Sequence, residues 1–115
     1  MVDELDKVWK ALSDPTRRSI LDLLRRRSKT TTEIVDAFPD MTRFAVMKHV
    51  DVLRDADLVI TRSEGRLRVN SLNAVPIRRI YERWMGPFAE LWSSMLLRLR
   101  DDFESDDKKK RITAK

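Results

Sequence analysis

The sequence predicts a fold that is mainly α-helical, with a small β-hairpin and a long helix after it. Only two glycines and four prolines occur in 115 residues, so few positions break a helix. Apolar residues recur at spacings of three and four along most of the chain, which is typical of amphipathic helices. The length suits one domain, which we expect over residues 1–104, with a disordered charged tail over residues 105–115.

Composition and charge narrow the classes of function. The chain has 24 lysines and arginines against 19 acidic residues, and this net charge of +5 suits a nucleic-acid partner. It has no cysteine, one histidine and no glycine-rich phosphate loop, so we expect no enzyme activity, no cofactor and no metal site. Neither a signal peptide nor an apolar run of membrane length is visible, which predicts a cytoplasmic protein without membrane contact.

Apolar spacing and a capping signal predict the first two helices. The first helix is expected over residues 3–12, and Asp14 can cap a second that begins at Pro15 and runs to about Arg27. The apolar positions are Leu5, Val8, Trp9 and Leu12 in the first helix, and Ile20, Leu21, Leu23 and Leu24 in the second. Most arginines of the second helix, including Arg17, are expected as a solvated surface.

Two capping signals predict a helix-turn-helix in the middle of the chain. Thr30 and Glu33 have the spacing of a capping box, which opens a helix over about residues 31–38. Pro39 ends that helix, and Thr42 can cap the next one. Residues 42–58 then form an amphipathic helix whose inner face is an ordinary apolar stripe.

The outward face of this helix is mixed in its first half. It carries Arg43, Phe44, Met47 and Lys48. A DNA major groove accounts for this mixture, because it offers acceptors to cations and thymine methyls to apolar atoms. A surface helix with two stray apolar residues is the alternative. We therefore expect these four residues to read bases, and Thr42 to contact phosphate.

A hairpin after this helix has the position of a wing. Residues 58–62 and 67–71 are β-prone and flank a turn in which Gly65 supplies a positive φ. Arg62 and Arg66 would bring positive charge to a phosphate backbone or minor groove. Arg68 is as easily a solubilising edge residue.

A long apolar stripe over residues 76–103 predicts a C-terminal dimerisation helix. The stripe keeps its phase across Gly86-Pro87, so either one kinked helix or two helices in near-register are expected. It holds more aromatic surface than a compact winged domain needs, so we expect a homodimer. The predicted dimer interface comprises Trp9, Ile80, Trp84, Phe88, Leu91, Trp92 and Met95. An unusually rich intramolecular core is the alternative.

These elements, in this order, resemble the ArsR-type winged helix-turn-helix repressors. The resemblance rests on ALSDPTRRSILDLL, the capped threonine-rich helix, RFAVMKHVDVLRDADLV and the EGR wing tip, and it covers roughly residues 5–72. It implies a homodimer formed by the first and last helices, a pseudo-palindromic double-stranded DNA operator, and repression of its own operon. VPIRRIYERW…FAELW resembles the branch often encoded beside START-like ligand-binding proteins.

Two departures from the family pattern affect what the resemblance implies. Many relatives sense metals through cysteines or through Asp and His pairs, whereas this chain has no cysteine and its one histidine, His49, lies on the inward helix face. Metal sensing is therefore not implied, and any effector is left open. Asp57 stands where relatives usually have glycine, and Asp tolerates left-handed backbone better than most residues.

A transcriptional repressor is thus the leading interpretation. A protein-interaction module that keeps the fold, and docks a partner through the C-terminal aromatic stripe, is the alternative. Binding to the chain's own upstream DNA would separate the two.

Overall fold

The computed structural model describes the backbone of residues 3–113. Its elements are α1 (Glu4–Leu12), α2 (Pro15–Arg26), β1 (Lys29–Thr30), α3 (Thr31–Asp36), α4 (Arg43–Asp55), β2 (Val59–Glu64), β3 (Leu67–Leu72), α5 (Val75–Trp84) and, after a 3-10 turn over Gly86–Phe88, α6 (Ala89–Thr113). The chain divides into two compact units, one up to Ile80 and one from Tyr81 onward. The mainly helical fold with a winged hairpin is confirmed.

The first unit is built around one apolar core. Every helix from α1 to α4 contributes buried side chains, and β2 and β3 cover one side of that core with Val59 and Val69. The fully buried side chains include Ile20, Ile34, Val46, Val50, Leu53 and Leu58. These positions follow the predicted apolar faces, because burial of one stripe per helix is what drives these helices together.

The predicted caps set the limits of the helix-turn-helix. The Thr30 hydroxyl accepts from the Glu33 N–H at 3.2 Å, and the Glu33 carboxylate accepts from the Thr30 N–H at 3.1 Å. The Thr42 hydroxyl accepts from the Ala45 N–H at 3.1 Å and opens α4. The first helix of the pair ends at Asp36, earlier than expected, because Phe38 precedes a proline and such a residue disfavours the helical region.

The sheet has one strand more than the sequence suggested. Strands β2 and β3 pair from Val59↔Leu72 to Glu64↔Leu67, so the hairpin loop is Gly65-Arg66, with Gly65 at φ +61° as predicted. The additional strand β1 pairs with the other side of β3 through Lys29↔Asn70. Two residues are too few to show an alternating pattern, so no sequence signal predicts β1.

Buried Asn70 ties the three strands together. Its side-chain N–H₂ donates to the Lys29 carbonyl at 3.2 Å and to the Thr31 hydroxyl at 3.3 Å. Its side-chain oxygen accepts from the Thr61 hydroxyl at 2.7 Å. This amide is 1% exposed, and its hydrogen bonds satisfy it inside the core and fix the root of the wing.

A left-handed residue turns the chain from α4 into the wing. Asp57 has φ +60°, as expected from its position, and its N–H donates to the Arg54 carbonyl at 3.0 Å. The next N–H, of Leu58, donates to the Leu53 carbonyl at 2.9 Å. This pair of bonds is a Schellman motif, which closes the helix and starts β2 at a fixed angle.

The C-terminal helical pattern is broken rather than continuous. The 3-10 turn at Gly86–Phe88 separates α5 from α6, which decides between the two alternatives that the stripe allowed. Among the described residues, none after Ile80 belongs to the buried core, and the expected single domain over residues 1–104 stays a prediction.

The expected disorder of the C-terminal tail, residues 105–115, stays a prediction. The structure continues α6 to Thr113, while residues 114–115 lie outside the described residues. No glycine or proline follows Pro87, so nothing in this charged segment interrupts the backbone hydrogen bonds of a helix. In the part of the chain that the structure describes, no helix is both long and apolar enough to cross a membrane.

Candidate nucleic-acid interface

Helix α4 presents its N-terminal half outward while its inner face is held in the core. Val46, Val50 and Leu53 are buried against the other helices of the first unit. Arg43, Phe44 and Lys48 are exposed, and the first turn carries no acidic residue. Cations and free helix N–H groups at this end give the surface a positive potential that suits a polyanion.

Phe44 and Lys48 form a pair on this surface. Phe44 is 71% exposed, which is unusual for a large aromatic residue. The Lys48 ammonium lies over the ring, 4.8 Å from its centre. This cation–π contact holds the long lysine side chain on the outward face of the helix.

Met47 does not lie where the sequence suggested. We expected it to face outward with Phe44 and Lys48, but it is half-buried and packs against the core. A methionine side chain is long and flexible, so a position at the edge of the helix face can fold inward to fill space. Met47 therefore helps to pack α4 against the core. The outward face that combines basic and apolar residues is smaller than predicted.

The second half of α4 is less positive. Asp51 and Asp55 are exposed, and the Asp51 carboxylate pairs with the Arg54 guanidinium at 3.2 Å. The Arg54 Nε is buried without a hydrogen-bond partner among the described residues. Acidic charge near the C-terminal end limits the surface that can approach phosphate to the first half of the helix.

Arg17 connects α4 to the junction of α1 and α2. Its Nε donates to the Ala11 carbonyl at 2.8 Å, and one terminal nitrogen donates to the Lys10 carbonyl at 2.9 Å. The other terminal nitrogen lies 3.2 Å from His49 Nδ1. Since a guanidinium only donates, Nδ1 accepts in this contact, and the imidazole carries its proton on Nε2.

This role of Arg17 corrects the expectation of a solvated arginine. Arg17 and His49 are distant in the sequence, so no local pattern predicts their contact. His49 lies on the inward side of α4 as predicted, because it is half-buried, and it is hydrogen-bonded to Arg17. Arg18 also bonds inward, to the Leu12 carbonyl at 2.6 Å.

The Asp14 carboxylate completes this cluster. It accepts from the Arg17 backbone N–H at 3.0 Å and lies 3.8 Å from His49 Nδ1. The hydrogen bond from the Arg17 N–H is the largest cause of a lowered pKa for Asp14. Partial burial acts in the opposite direction, and the positive charge of Arg17 lowers this pKa further.

The wing carries three arginines, Arg62, Arg66 and Arg68, and the carboxylate of Glu64. Arg62 pairs with Glu64 at 2.9 Å, and both side chains are more than half exposed. Arg66 and Arg68 are exposed, with Arg66 in the hairpin loop itself. In the described part of the chain, Arg66 and Arg43 have no carboxylate partner, so both cations are available to a ligand.

The predicted dimer residues are exposed, with one exception. Ile80 packs against the core of the first unit and is half-buried. The others are Trp9 (48% exposed), Trp84 (48%), Phe88 (54%), Leu91 (60%), Trp92 (53%) and Met95 (45%). Tyr81, Leu96, Leu99 and Phe103 extend the exposed apolar surface of this region.

The structure offers little to a metal ion. Among the side chains that the structure describes, no group of three or more from His, Asp or Glu is arranged so that it could hold one. His49 is hydrogen-bonded to Arg17, and the carboxylate that lies near its ring is that of Asp14.

An exposed basic helix after a tight turn, followed by a basic hairpin, defines a winged helix-turn-helix DNA-binding domain. Comparison with known proteins agrees: the profile of a helix-turn-helix domain family matches residues 12–62. The chain is 36% identical to the uncharacterized HTH-type transcriptional regulator YuzN of Bacillus subtilis, over 70% of this chain and 94% of that protein. It is 32% identical to the transcriptional repressor SdpR of Bacillus subtilis, over 64% of this chain and 81% of that protein.

Solved structures lead to the same family. A crystal structure of an ArsR family transcriptional regulator has a TM-score of 0.67 and 34% identity, over 79% of this chain and 98% of that one. The homodimeric winged helix-turn-helix domain Mb0332 of Mycobacterium bovis shares the fold at a TM-score of 0.60 and 23% identity, over 83% of this chain and 82% of that one. The chain belongs to the ArsR family of winged helix-turn-helix transcriptional regulators, which are DNA-binding proteins and not enzymes.

The Asp14 cluster predicts an acid-dependent loss of stability. The pKa of Asp14 is lower in the folded chain than its ordinary value near 3.8, so its ionised form stabilises the fold above that value. This contribution is lost as the pH falls below 3.8 and through the folded pKa. Asp14→Asn keeps a capping oxygen but no charge, so its melting temperature should fall less than that of the wild type over this range. Asp22→Asn, an exposed position of α2, should keep the wild-type dependence. Equal acid dependence in Asp14→Asn and the wild type would exclude Asp14 as a contributor.

Proposed function

We propose that the chain is a homodimeric repressor that binds a pseudo-palindromic operator of its own or a neighbouring operon. The observation that carries this proposal is the outward first half of α4, where Arg43 and Lys48 flank the exposed ring of Phe44. Solvent gives no reason for this mixture, whereas base edges in a major groove do. The relationship to SdpR, which is a transcriptional repressor, supports repression. We also propose a cytoplasmic location, because an operator-binding protein acts on DNA in that compartment.

The proposed contacts fall into two classes. Arg43, Phe44 and Lys48 contact base edges, because the N-terminal residues of a recognition helix lie deepest in the groove. Thr42, Arg62 and Arg66 contact phosphates and fix the register. Met47 is assigned to support of the helix, since its side chain packs on the core.

Dimerisation is supported by the exposed apolar surface. Trp84, Phe88, Leu91, Trp92 and Met95 recur at helical spacing, and each is about half exposed or more. Surfaces of this kind in small proteins mark an interaction site. A two-fold dimer pairs two recognition helices with two half-sites one helical turn apart, which a single helix cannot do. The homodimeric Mycobacterium bovis domain has the same fold.

Sedimentation tests the dimer. At micromolar concentration the wild type should have twice the chain mass of 13.6 kDa. Trp92→Asp places a charge in the stripe and should shift the protein to monomer, because desolvating a carboxylate in an apolar interface is costly. Ser93→Asp, an exposed neighbour on the same helix, should remain dimeric. A wild-type monomer, or equal behaviour of the two variants, contradicts an interface through this stripe.

The same stripe also suits a second function. If a partner protein covers residues 81–103, the chain could act as an interaction module that keeps the fold without reading DNA. A gel shift with the chain's upstream DNA discriminates between them, because only the repressor forms a sequence-specific complex.

We also propose that DNA binding does not respond to transition metals. The sequence has no cysteine, and its one histidine is hydrogen-bonded to Arg17. Thiolate and imidazole ligands are what zinc, copper and nickel prefer, and a single histidine makes a poor site. Carboxylates alone favour hard cations.

A metal titration tests this point. Zinc, copper or nickel added at near-stoichiometric amounts should leave a preformed protein–operator complex intact, as measured by fluorescence anisotropy. A His49→Gln variant serves as the control for nonspecific metal effects. Release of DNA that a chelator reverses would show that a metal site exists.

The two classes of DNA contact predict different effects of substitution. Losing a base contact costs about 1–3 kcal/mol and relaxes preference at that position, so Arg43→Ala should narrow the gap between operator and random DNA. Losing a phosphate contact lowers the affinity for all DNA sequences alike. It also reduces the slope of log affinity against log salt concentration by about one unit, and we expect both effects for Arg66→Ala. Arg25→Ala, an exposed arginine of α2, serves as the matched control.

Binding curves at several salt concentrations, on operator and on random DNA, give the measurement. If Arg43→Ala lowers both affinities equally, the base-reading face has been assigned wrongly, even where the repressor function holds.

A further inference from the structure

The contact between Phe44 and Lys48 suggests what the recognition helix reads. The two residues lie one helical turn apart on the outward face of α4. The carboxylate of Asp51, three residues after Lys48, is a possible partner for the ammonium. That carboxylate pairs with Arg54 at 3.2 Å instead, and the ammonium lies over the ring. The lysine is thus fixed beside the ring.

We propose that Phe44 and Lys48 act together on one base-pair step, a T·A pair directly beside a G·C pair, in each half of the operator. This proposal rests on the repressor function proposed above and deepens it. Of the groups that a major groove displays, only the thymine methyl suits an exposed aromatic ring. Guanine presents two acceptors, O6 and N7, and these suit an ammonium, which has donors only.

The distance between the two groups supports adjacent base pairs. Lys48 Nζ lies 4.8 Å from the centre of the Phe44 ring. Successive base pairs are about 3.4 Å apart along the helix axis. Two groups at this separation therefore reach neighbouring pairs more readily than pairs further apart, and both reach them from the same face of α4.

The ring has a second role in this pair. A lysine side chain is flexible, and a free ammonium discriminates poorly between acceptors. Contact with the Phe44 ring restricts Lys48 before DNA arrives, so the ammonium approaches guanine with less freedom left to lose. Phe44 thus acts both as a thymine contact and as a positioning residue for Lys48.

The experiment begins with duplexes that the full-length wild type enriches from a random pool. Deoxyuridine, which lacks the 5-methyl group, then replaces each thymine in turn. One position in each half-site should weaken wild-type binding about fourfold, the value of one buried methyl. Phe44→Ala should bind the thymine and deoxyuridine duplexes equally.

The neighbouring base pair tests Lys48. Replacing the adjacent G·C pair by A·T should weaken the wild type about tenfold, as expected for one mismatch. Lys48→Ala should not distinguish these two duplexes. Phe44→Leu keeps an apolar contact without a ring, so it should retain the deoxyuridine effect and lose much of the guanine preference.

Controls separate recognition from folding. Phe44 and Lys48 are exposed, so melting curves of their variants should match the wild type. Ile60→Ala removes an exposed apolar side chain from β2 and should change neither base effect.

Three outcomes overturn the proposal while leaving a DNA-binding repressor in place: a deoxyuridine effect that persists in Phe44→Ala, a guanine preference that persists in Lys48→Ala, or sensitive positions that are not neighbours. If the wild type enriches no sequence at all, the proposed repressor function fails, and this assignment fails with it.

Discussion

The attachment of Arg17 to three parts of the first unit is the contact on which the DNA-facing geometry depends. Its guanidinium occupies the last carbonyls of α1 and the ring of His49 on α4, while its backbone N–H bonds to Asp14. Two of these bonds satisfy helix-end groups: the Ala11 carbonyl near the end of α1 and the Arg17 backbone N–H in the first turn of α2. Apolar packing alone allows α4 to rotate or slide by small amounts, whereas a fork of directed bonds selects one orientation. The outward position of Arg43, Phe44 and Lys48 follows from that orientation.

Charge is distributed unevenly along α4, and this distribution has a function in the proposed complex. The first half has Arg43 and Lys48 and no acidic residue, while the second half has Asp51 and Asp55. A helix with this gradient is attracted to a duplex at one end and repelled at the other. It therefore enters the groove by its N-terminus. The Schellman motif at Asp57 then directs the wing away from the same helix at a fixed angle.

Sequence reasoning succeeded where the signal is local. Capping by Asp14, Thr30 and Thr42, the Gly65 turn and the left-handed Asp57 all depend on residues a few positions apart, and each was predicted. It failed where partners are distant. Strand β1 exists because Asn70 and its strand lie beside it, and the Arg17–His49 contact spans 32 positions. A flexible side chain at the edge of a helix face can point outward or inward, and the space left by its neighbours determines which. Met47 points inward and packs against the core.

The pairing of Arg62 with Glu64 has a consequence for how the protein finds its site. The carboxylate cancels one positive charge of the hairpin before any nucleic acid arrives, so the wing is a weaker cation than its arginines suggest. Attraction that ignores sequence is mostly electrostatic, and random sites in a chromosome far outnumber any operator. A wing with a lower net positive charge binds nonspecific DNA more weakly. In the proposed complex, Glu64 thereby raises the share of total affinity that comes from base edges.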